Sequence, residues 1–357
     1  MCCALFVAQI NKKEGRGTMN NTTESRQSIN IGDIAAALGV SKTTVSRAIS
    51  GKGRISAETR ARVKNYIEEH NYRPNVMARG LANNKTYNIA LLLPAEFSRF
   101  EQPFSRESLS GVYKTAVKCD YDVVITIAQP NDLAPIKRIV ENKKVDGCVL
   151  FQATENDAVI SYLTDNNIPF VLMGSCDDAD IIQVDNAQKE ACQELSTILL
   201  LQGVRKIAIL GGNMLNQVNK IRYEGFLNAC DNLNCRLDNS QIFTGLDNDI
   251  LIARAAADAI GMGAECLVCM DDIICTEVLK YIEKTEYCIP EDVRVASFYD
   301  SQLLRDYWVS ITAIHFDAEE LGSVACRLLL DLLDNRIVER KTELGYQVVL
   351  RESTKIK

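Results

Sequence analysis

Ile31-Gly32-Asp33-Ile34-Ala35-Ala36-Ala37-Leu38-Gly39-Val40-Ser41-Lys42-Thr43-Thr44-Val45-Ser46-Arg47-Ala48-Ile49 is the stretch from which the fold follows. Ile34, Ala35 and Leu38 share one helical face, and Gly39 stands where a helix end takes positive φ. Ser41 is a good N-cap for a second helix, in which Val45, Ala48 and Ile49 point inward. Lys42, Thr43, Ser46 and Arg47 then point outward. Two short helices joined by a glycine-containing turn make a helix-turn-helix. A third helix is expected to start near Ser56 and run to about His70, burying Val63, Tyr66 and Ile67 beneath the pair. The outward face of the second helix suits a major groove: Arg47 offers a bidentate fork to guanine or a clamp on phosphate, and Thr or Lys reaches base edges or phosphates.

Charge supports this reading. Residues 29–87 carry ten Lys or Arg against four Asp or Glu, whereas residues 88–357 carry 26 against 41. A basic module on an acidic body points to an N-terminal polyanion binder. The length of 357 residues leaves room beyond that module for a two-lobed α/β domain. From residue 88 on, apolar runs at 89–93, 123–127, 148–151, 170–173, 207–210, 267–270 and 293–298 alternate with helical stretches, the pattern of parallel sheets covered on both faces.

Other classes find little support. The thirteen cysteines are odd in number and scattered through apolar segments, with only two histidines to join them, which reads as reduced thiols in a cytoplasmic protein. Cys266 and Cys269 form a C-x-x-C inside an apolar run with no second pair at zinc-ligand spacing, so both are read as core residues. No apolar run reaches the ~18 residues of a membrane span. Residues 1–10 lack the basic start and cleavage site of a signal peptide. Lys13-Glu14-Gly15-Arg16-Gly17-Thr18 before Met19 is what a translated ribosome-binding site would encode, which makes Met19 the expected first residue and 1–28 a disordered or non-native extension. No H-E-x-x-H, G-x-S-x-G, P-loop or post-strand G-x-G-x-x-G occurs, so neither an enzyme nor a cofactor is expected.

The ordered series Ile31-Gly32-Asp33-Ile34-Ala35, Gly39-Val40-Ser41-Lys42-Thr43-Thr44-Val45-Ser46-Arg47, Ile55-Ser56-Ala57-Glu58-Thr59-Arg60, Asn71-Tyr72-Arg73-Pro74-Asn75 and Ala78-Arg79-Gly80-Leu81 resembles the signature of the LacI/GalR family of bacterial transcription regulators. The resemblance continues through Val145-Asp146-Gly147, Asp185-Asn186, Arg222-Tyr223-Glu224-Gly225-Phe226 and Leu350-Arg351-Glu352-Ser353-Thr354. It implies a small all-α helix-turn-helix DNA-binding domain (29–74) joined by a hinge helix and linker (75–87) to an α/β periplasmic-binding-protein-like domain (88–357). That domain would hold two Rossmann-like lobes, one of about 88–186 and 316–345, the other of about 187–313 and 346–357. The expected DNA-contacting residues are Ser41, Lys42, Thr43, Thr44, Ser46 and Arg47, with Asn75, Ala78, Arg79 and Leu81 in the hinge. Leu81 falls where the family inserts an apolar wedge between base steps.

The resemblance also implies a repressor that reads a pseudo-palindromic operator as a homodimer, switched by an effector between the lobes. No leucine heptad follows Thr354, so a dimer rather than a tetramer is expected. Carried over residue by residue, the effector candidates are Phe104 for stacking, Asp185 at the lobe crossover, Arg222 as charged anchor, and Asp271, Asp272 and Tyr299. The chain departs from the family pattern at Asp271 (usually Asn), at Tyr299 (usually the ligand-binding Asp) and at Ala187 (usually Gly). The effector is therefore left open between a sugar, a phosphorylated metabolite and a phosphorylated carrier protein.

Overall fold

The computed structural model describes residues 29–51, 53–70, 72, 80–81, 83–94, 103–128, 132–151, 153 and 157–355. The extension 1–28 and the hinge candidates Asn75, Ala78 and Arg79 lie outside them. The chain divides into two compact units, one ending at Arg79 and one beginning at Gly80.

In the first unit, α1 (Ile31–Leu38) opens with a capping box. Asn30 Oδ1 accepts from Gly32 N at 2.7 Å and Asp33 N at 3.3 Å, and Asp33 Oδ2 accepts from Asn30 N at 2.8 Å, so three otherwise orphaned groups are satisfied by local sequence. Gly39 ends α1 at φ 65°, a conformation that a β-carbon disfavours. Then α2 (Lys42–Ser50) starts on Ser41, and α3 (Ala57–Glu69) starts on Ser56. Ile34, Ala35, Val45 and Val63 form the core, with Leu38, Ala48, Tyr66 and Ile67 partly buried around it. Ile49 does not point inward as expected; it is 36% exposed. It lies one turn beyond Val45 and two residues before Gly51, which ends α2, where a three-helix core this small has nothing left to cover it.

The second unit alternates strands and helices: β1 (Asn88–Pro94), α4 (Pro103–Lys118), β2 (Asp122–Ala128), α5 (Ala134–Glu141), β3 (Gly147–Leu150), α6 (Ala158–Asp165), β4 (Phe170–Met173) and β5 (Gln183–Asn186) build a first lobe. A second lobe follows with α7 (Gln188–Leu201), β6 (Ile207–Leu210), α8 (Gln217–Asn232), β7 (Ile242–Phe243), α9 (Asp249–Gly261), β8 (Cys266–Cys269), α10 (Asp272–Ile282), β9 (Arg294–Ser297), α11 (Gln302–Arg305) and β10 (Thr312–His315). The chain then returns to the first lobe with α12 (Ala318–Leu333) and β11 (Lys341–Leu344), and to the second with β12 (Gln347–Val349). The sheets run β11-β5-β4-β3-β1-β2 and β12-β10-β9-β8-β6-β7. All pairings are parallel except β10 with β12.

Burial on both sheet faces explains the near-continuous apolar runs. On the first sheet, Ile89, Leu91, Leu93, Val149 and Val171 meet α4 and α12, while Ala90, Leu92, Cys148 and Leu172 meet α5 and α6. Helices α4 and α12 touch backbone to backbone, since a β-carbon on Gly322 would fall 2.0 Å from Ser108 O. In the second lobe Cys266 and Cys269 lie on β8, fully buried, in the cores on opposite faces of the sheet. Residues three apart on a strand cannot face each other, and burial pushes the Cys266 thiol up to about 12. No helix of the described residues is long and apolar enough to cross a membrane.

Candidate functional site

The exposed face of α2 carries Lys42, Thr43, Ser46 and Arg47. The other two candidates on this helix have local duties. Ser41 Oγ accepts from Thr44 N at 3.1 Å and shares a hydrogen bond with Thr44 Oγ1 at 2.9 Å, which fixes the start of the helix. Two glycines make room for the long basic side chains. A β-carbon at Gly32 would come within 3.0 Å of Lys42 Cε, and one at Gly53 within 3.0 Å of Arg47 Cδ. Both stems therefore lie against backbone. Leu81, in helical backbone at the start of the second unit, is 88% exposed.

Between the two lobes of the second unit lies a cavity of about 240 Å³. All six effector candidates line it: Phe104, Asp185, Arg222, Asp271, Asp272 and Tyr299. Asp185 is on β5, Asp271 and Asp272 follow β8, and Tyr299 follows β9, so the walls come from the C-terminal ends of strands, where open α/β sheets bind ligands. Phe104 meets Phe151 and Tyr299 edge to face, each at 5.6 Å between centroids, and so forms an aromatic bridge from one lobe to the other.

The polar wall is organised around Arg222, which is 8% exposed. Its Nε donates to Gln188 Oε1 at 3.0 Å and one terminal nitrogen to Met270 O at 2.6 Å. Sequence reading named Arg222 but missed Gln188, Asn216 and Asn219, which line the same space. The available signal was position, since each opens a helix beside the cleft. Asp185 Oδ2 accepts from Ser175 Oγ at 2.8 Å and Oδ1 from Asn186 N at 2.7 Å. Burial raises its pKa, against the pull of these bonds and of Arg222. Burial likewise pushes the Tyr299 hydroxyl up, with the charge of Glu107 adding to it. Asp271 caps α10 by accepting from Ile274 N at 2.8 Å. Burial, reinforced by the negative charge of Asp271, pushes Asp272 up to about 6.

A carboxyl whose folded pKa lies above its unfolded value destabilises the fold as pH rises through that interval. Asp272→Asn removes the penalty. The variant should therefore gain on the wild type between about pH 4 and pH 7, by up to about 3 kcal/mol at the upper end. Denaturant unfolding at several pH values checks this, and a difference independent of pH would refute it.

Two family models match this chain: "Bacterial regulatory proteins, lacI family" over residues 30–75 and "Periplasmic binding protein-like domain" over residues 197–354. The HTH-type transcriptional regulator MalR of Streptococcus pneumoniae is 28% identical over 317 residues, covering 86% of this chain and 93% of that protein. Among solved structures, the complex of the transcriptional regulator CelR with cellobiose aligns at a TM-score of 0.70 and 22% identity, over 91% of this chain and 99% of that one. The lac repressor dimer bound to operator and the anti-inducer ONPF aligns at a TM-score of 0.75 and 20% identity, over 92% and 99%.

Proposed function

Since this chain belongs to the lacI family of bacterial regulatory proteins and is a DNA-binding transcriptional regulator rather than an enzyme, we propose that it is a cytoplasmic repressor of carbohydrate genes, binding a pseudo-palindromic operator as a homodimer and switched by a small ligand in the cleft between its lobes. The observation that carries this reading is the face of α2. Within the matched region it exposes Lys42, Thr43, Ser46 and Arg47 and no acidic residue. Arg47 is assigned the guanine fork, and Ser41, Thr44, Asn75, Ala78, Arg79 and Leu81 complete the contacting set.

Exposed apolar margins support the homodimer reading. Tyr113 and Val117 on α4 and Ile125 and Ile127 on β2 are all more than 40% exposed. The register pairs Leu91 with Ile125 and Leu93 with Ile127, so both isoleucines extend the face that α4 covers, at the free edge of the first sheet. The edge of the second lobe adds Ile250, 76% exposed, on α9. Apolar margins on both lobes suit an isologous two-fold contact that presents two reading helices to half-sites about 34–36 Å apart.

The cleft favours an uncharged ligand rich in hydroxyls. Among the described residues, Asp185, Asp271 and Asp272 stand against one guanidinium. The N-termini of α4, α7, α8 and α10 open onto the same space, each worth roughly half a positive charge, which brings the sum near zero. A phosphorylated metabolite would bring about two negative charges to a wall whose one cation among the described residues is already bonded to Gln188 and Met270. Pockets for drug-sized ligands hold ~300–1,000 Å³, so a cavity of about 240 Å³ suits a monosaccharide-sized compound. The CelR structure, with cellobiose bound, is the precedent for a sugar in this fold.

Fluorescence titration of Arg47→Ala against an operator duplex tests the assignment. The variant should lose about 1–3 kcal/mol and discriminate less at one base pair. Undiminished discrimination would reduce Arg47 to a phosphate contact.

A further inference from the structure

The start of the second unit is strapped to its first lobe by two carboxylates, Asp146 and Asp334. We propose that Asp146, with the Lys85–Asp334 ion pair, is the positioning group that sets where the chain leaves this lobe for the DNA-binding unit; the inference rests on the regulator reading above. Asp146 stands immediately before β3. Its Oδ1 accepts from Thr86 N at 2.6 Å and from Thr86 Oγ1 at 2.8 Å, and its Oδ2 from Tyr87 N at 2.9 Å. Beside it, Lys85 Nζ donates to Asp334 Oδ1 at 2.8 Å and lies 6.0 Å from the centre of the Tyr121 ring. Tyr87 meets the same ring at 5.4 Å.

The path these groups hold is bent. Asn84 and Tyr87 take φ of 50° and 56°, the left-handed region that a bulky residue such as Tyr enters only when its surroundings fix it there. Lys85 N donates to Gly80 O at 3.0 Å. A β-carbon at Gly80 would lie 2.5 Å from Lys85 O, so the turn closes on glycine. Leu81, which follows Gly80 directly, stays 88% exposed.

Both anchors have their far ends at the cleft. β3 begins one residue after Asp146 and leads into Phe151, which lines the cavity. α12 carries Leu321, another lining residue, near its start and ends on Asp334. At about 3.3 Å per strand residue and 1.5 Å per helical residue, each element spans on the order of 15–20 Å from cleft to linker. The two belong to one packed core. β3 and α12 thus join the cleft to residues 85–87 through packed elements and not through slack chain.

The test uses the full-length protein with the duplex that the wild type enriches from genomic DNA and a scrambled duplex of equal length. Affinities are measured for wild type, Asp146→Asn and Lys85→Met, with thermal unfolding in parallel. Lys85→Met keeps the aliphatic stem, and Arg336 remains as a partner for Asp334, so this variant decides the matter if Asp146→Asn fails to fold. Both variants should lose about tenfold or more on the enriched duplex and less than about threefold on the scrambled one, while still unfolding cooperatively. Equal losses on the two duplexes, or no loss by folded Lys85→Met, would overturn the positioning role. Failure of the wild type to enrich any duplex would instead overturn the regulator reading beneath it.

Discussion

Arg222→Met is expected to destabilise the second unit by about 3–5 kcal/mol and to abolish its response to the effector. Both effects trace to one guanidinium. Methionine approximates the stem, so packing against α7 is kept and the loss is polar. The Met270 carbonyl and the Gln188 amide oxygen each lose a donor. Asp185 and Asp272 lose the positive charge that opposes the effect of burial on them. Removing one member of a buried charge constellation costs that much because the others stay buried and uncompensated. Denaturant unfolding reads the first effect, and ligand-induced change in operator affinity reads the second. A destabilisation below about 1 kcal/mol would mean that water, not Arg222, satisfies these groups. A retained effector response would remove Arg222 from the binding set.

Asp300→Ala is expected to cost about as much, about 3–5 kcal/mol, without touching the cleft. The Asp300 side chain is 2% exposed. Arg351 grips it with both terminal nitrogens, at 2.9 Å to Oδ1 and 2.8 Å to Oδ2, and Arg305 adds a third bond at 2.9 Å. His315 Nδ1 lies 3.8 Å away. Arg351 also donates to Ile311 O at 2.5 Å, so this pair ties the C-terminal segment to β10. Alanine leaves two guanidiniums beside an empty site, one of them with its side chain only 14% exposed. The two-point geometry is that of a strong charge-assisted pair, and its burial predicts a loss that 0.5 M salt barely changes. A loss that salt erases would make the cluster a surface feature.

These residues show what the sequence could and could not convey. The helix-turn-helix was legible because its signals are local: a cap at Ser41, a left-handed glycine at Gly39 and apolar residues at helical spacing. Ile49 escaped because helical periodicity cannot say where a small core ends. Strands 89–93, 170–173 and 207–210 could be read from apolar runs. β5 could not, because half of it is Asp185 and Asn186, and β7, β11 and β12 are too short or too polar to stand out. Their places are set by pairing with distant chain, as Thr342 pairs with Val184.

Within the cleft, the family resemblance located all six effector candidates, including Tyr299 where the usual aspartate is missing. Residue types alone did not reveal that Tyr299 joins the Phe104 aromatic bridge while its neighbour Asp300 turns to Arg351. Nor did they show Asp146 as a strap, since three hydrogen bonds to residues 86 and 87 cross about sixty positions of sequence. Such roles depend on tertiary neighbours, which no local pattern encodes.

Reading of DNA sequence through α2, by a symmetric dimer, is the proposed activity of this chain. It is tested most directly by selecting fragments of the source organism's genome on purified protein, with Arg47→Ala in parallel and salt varied to separate phosphate attraction from base reading. One short palindrome with half-sites about a helical turn apart should be enriched, and lost or degenerate for the variant. Sequence-blind binding that only falls with salt, identical for both proteins, would contradict it.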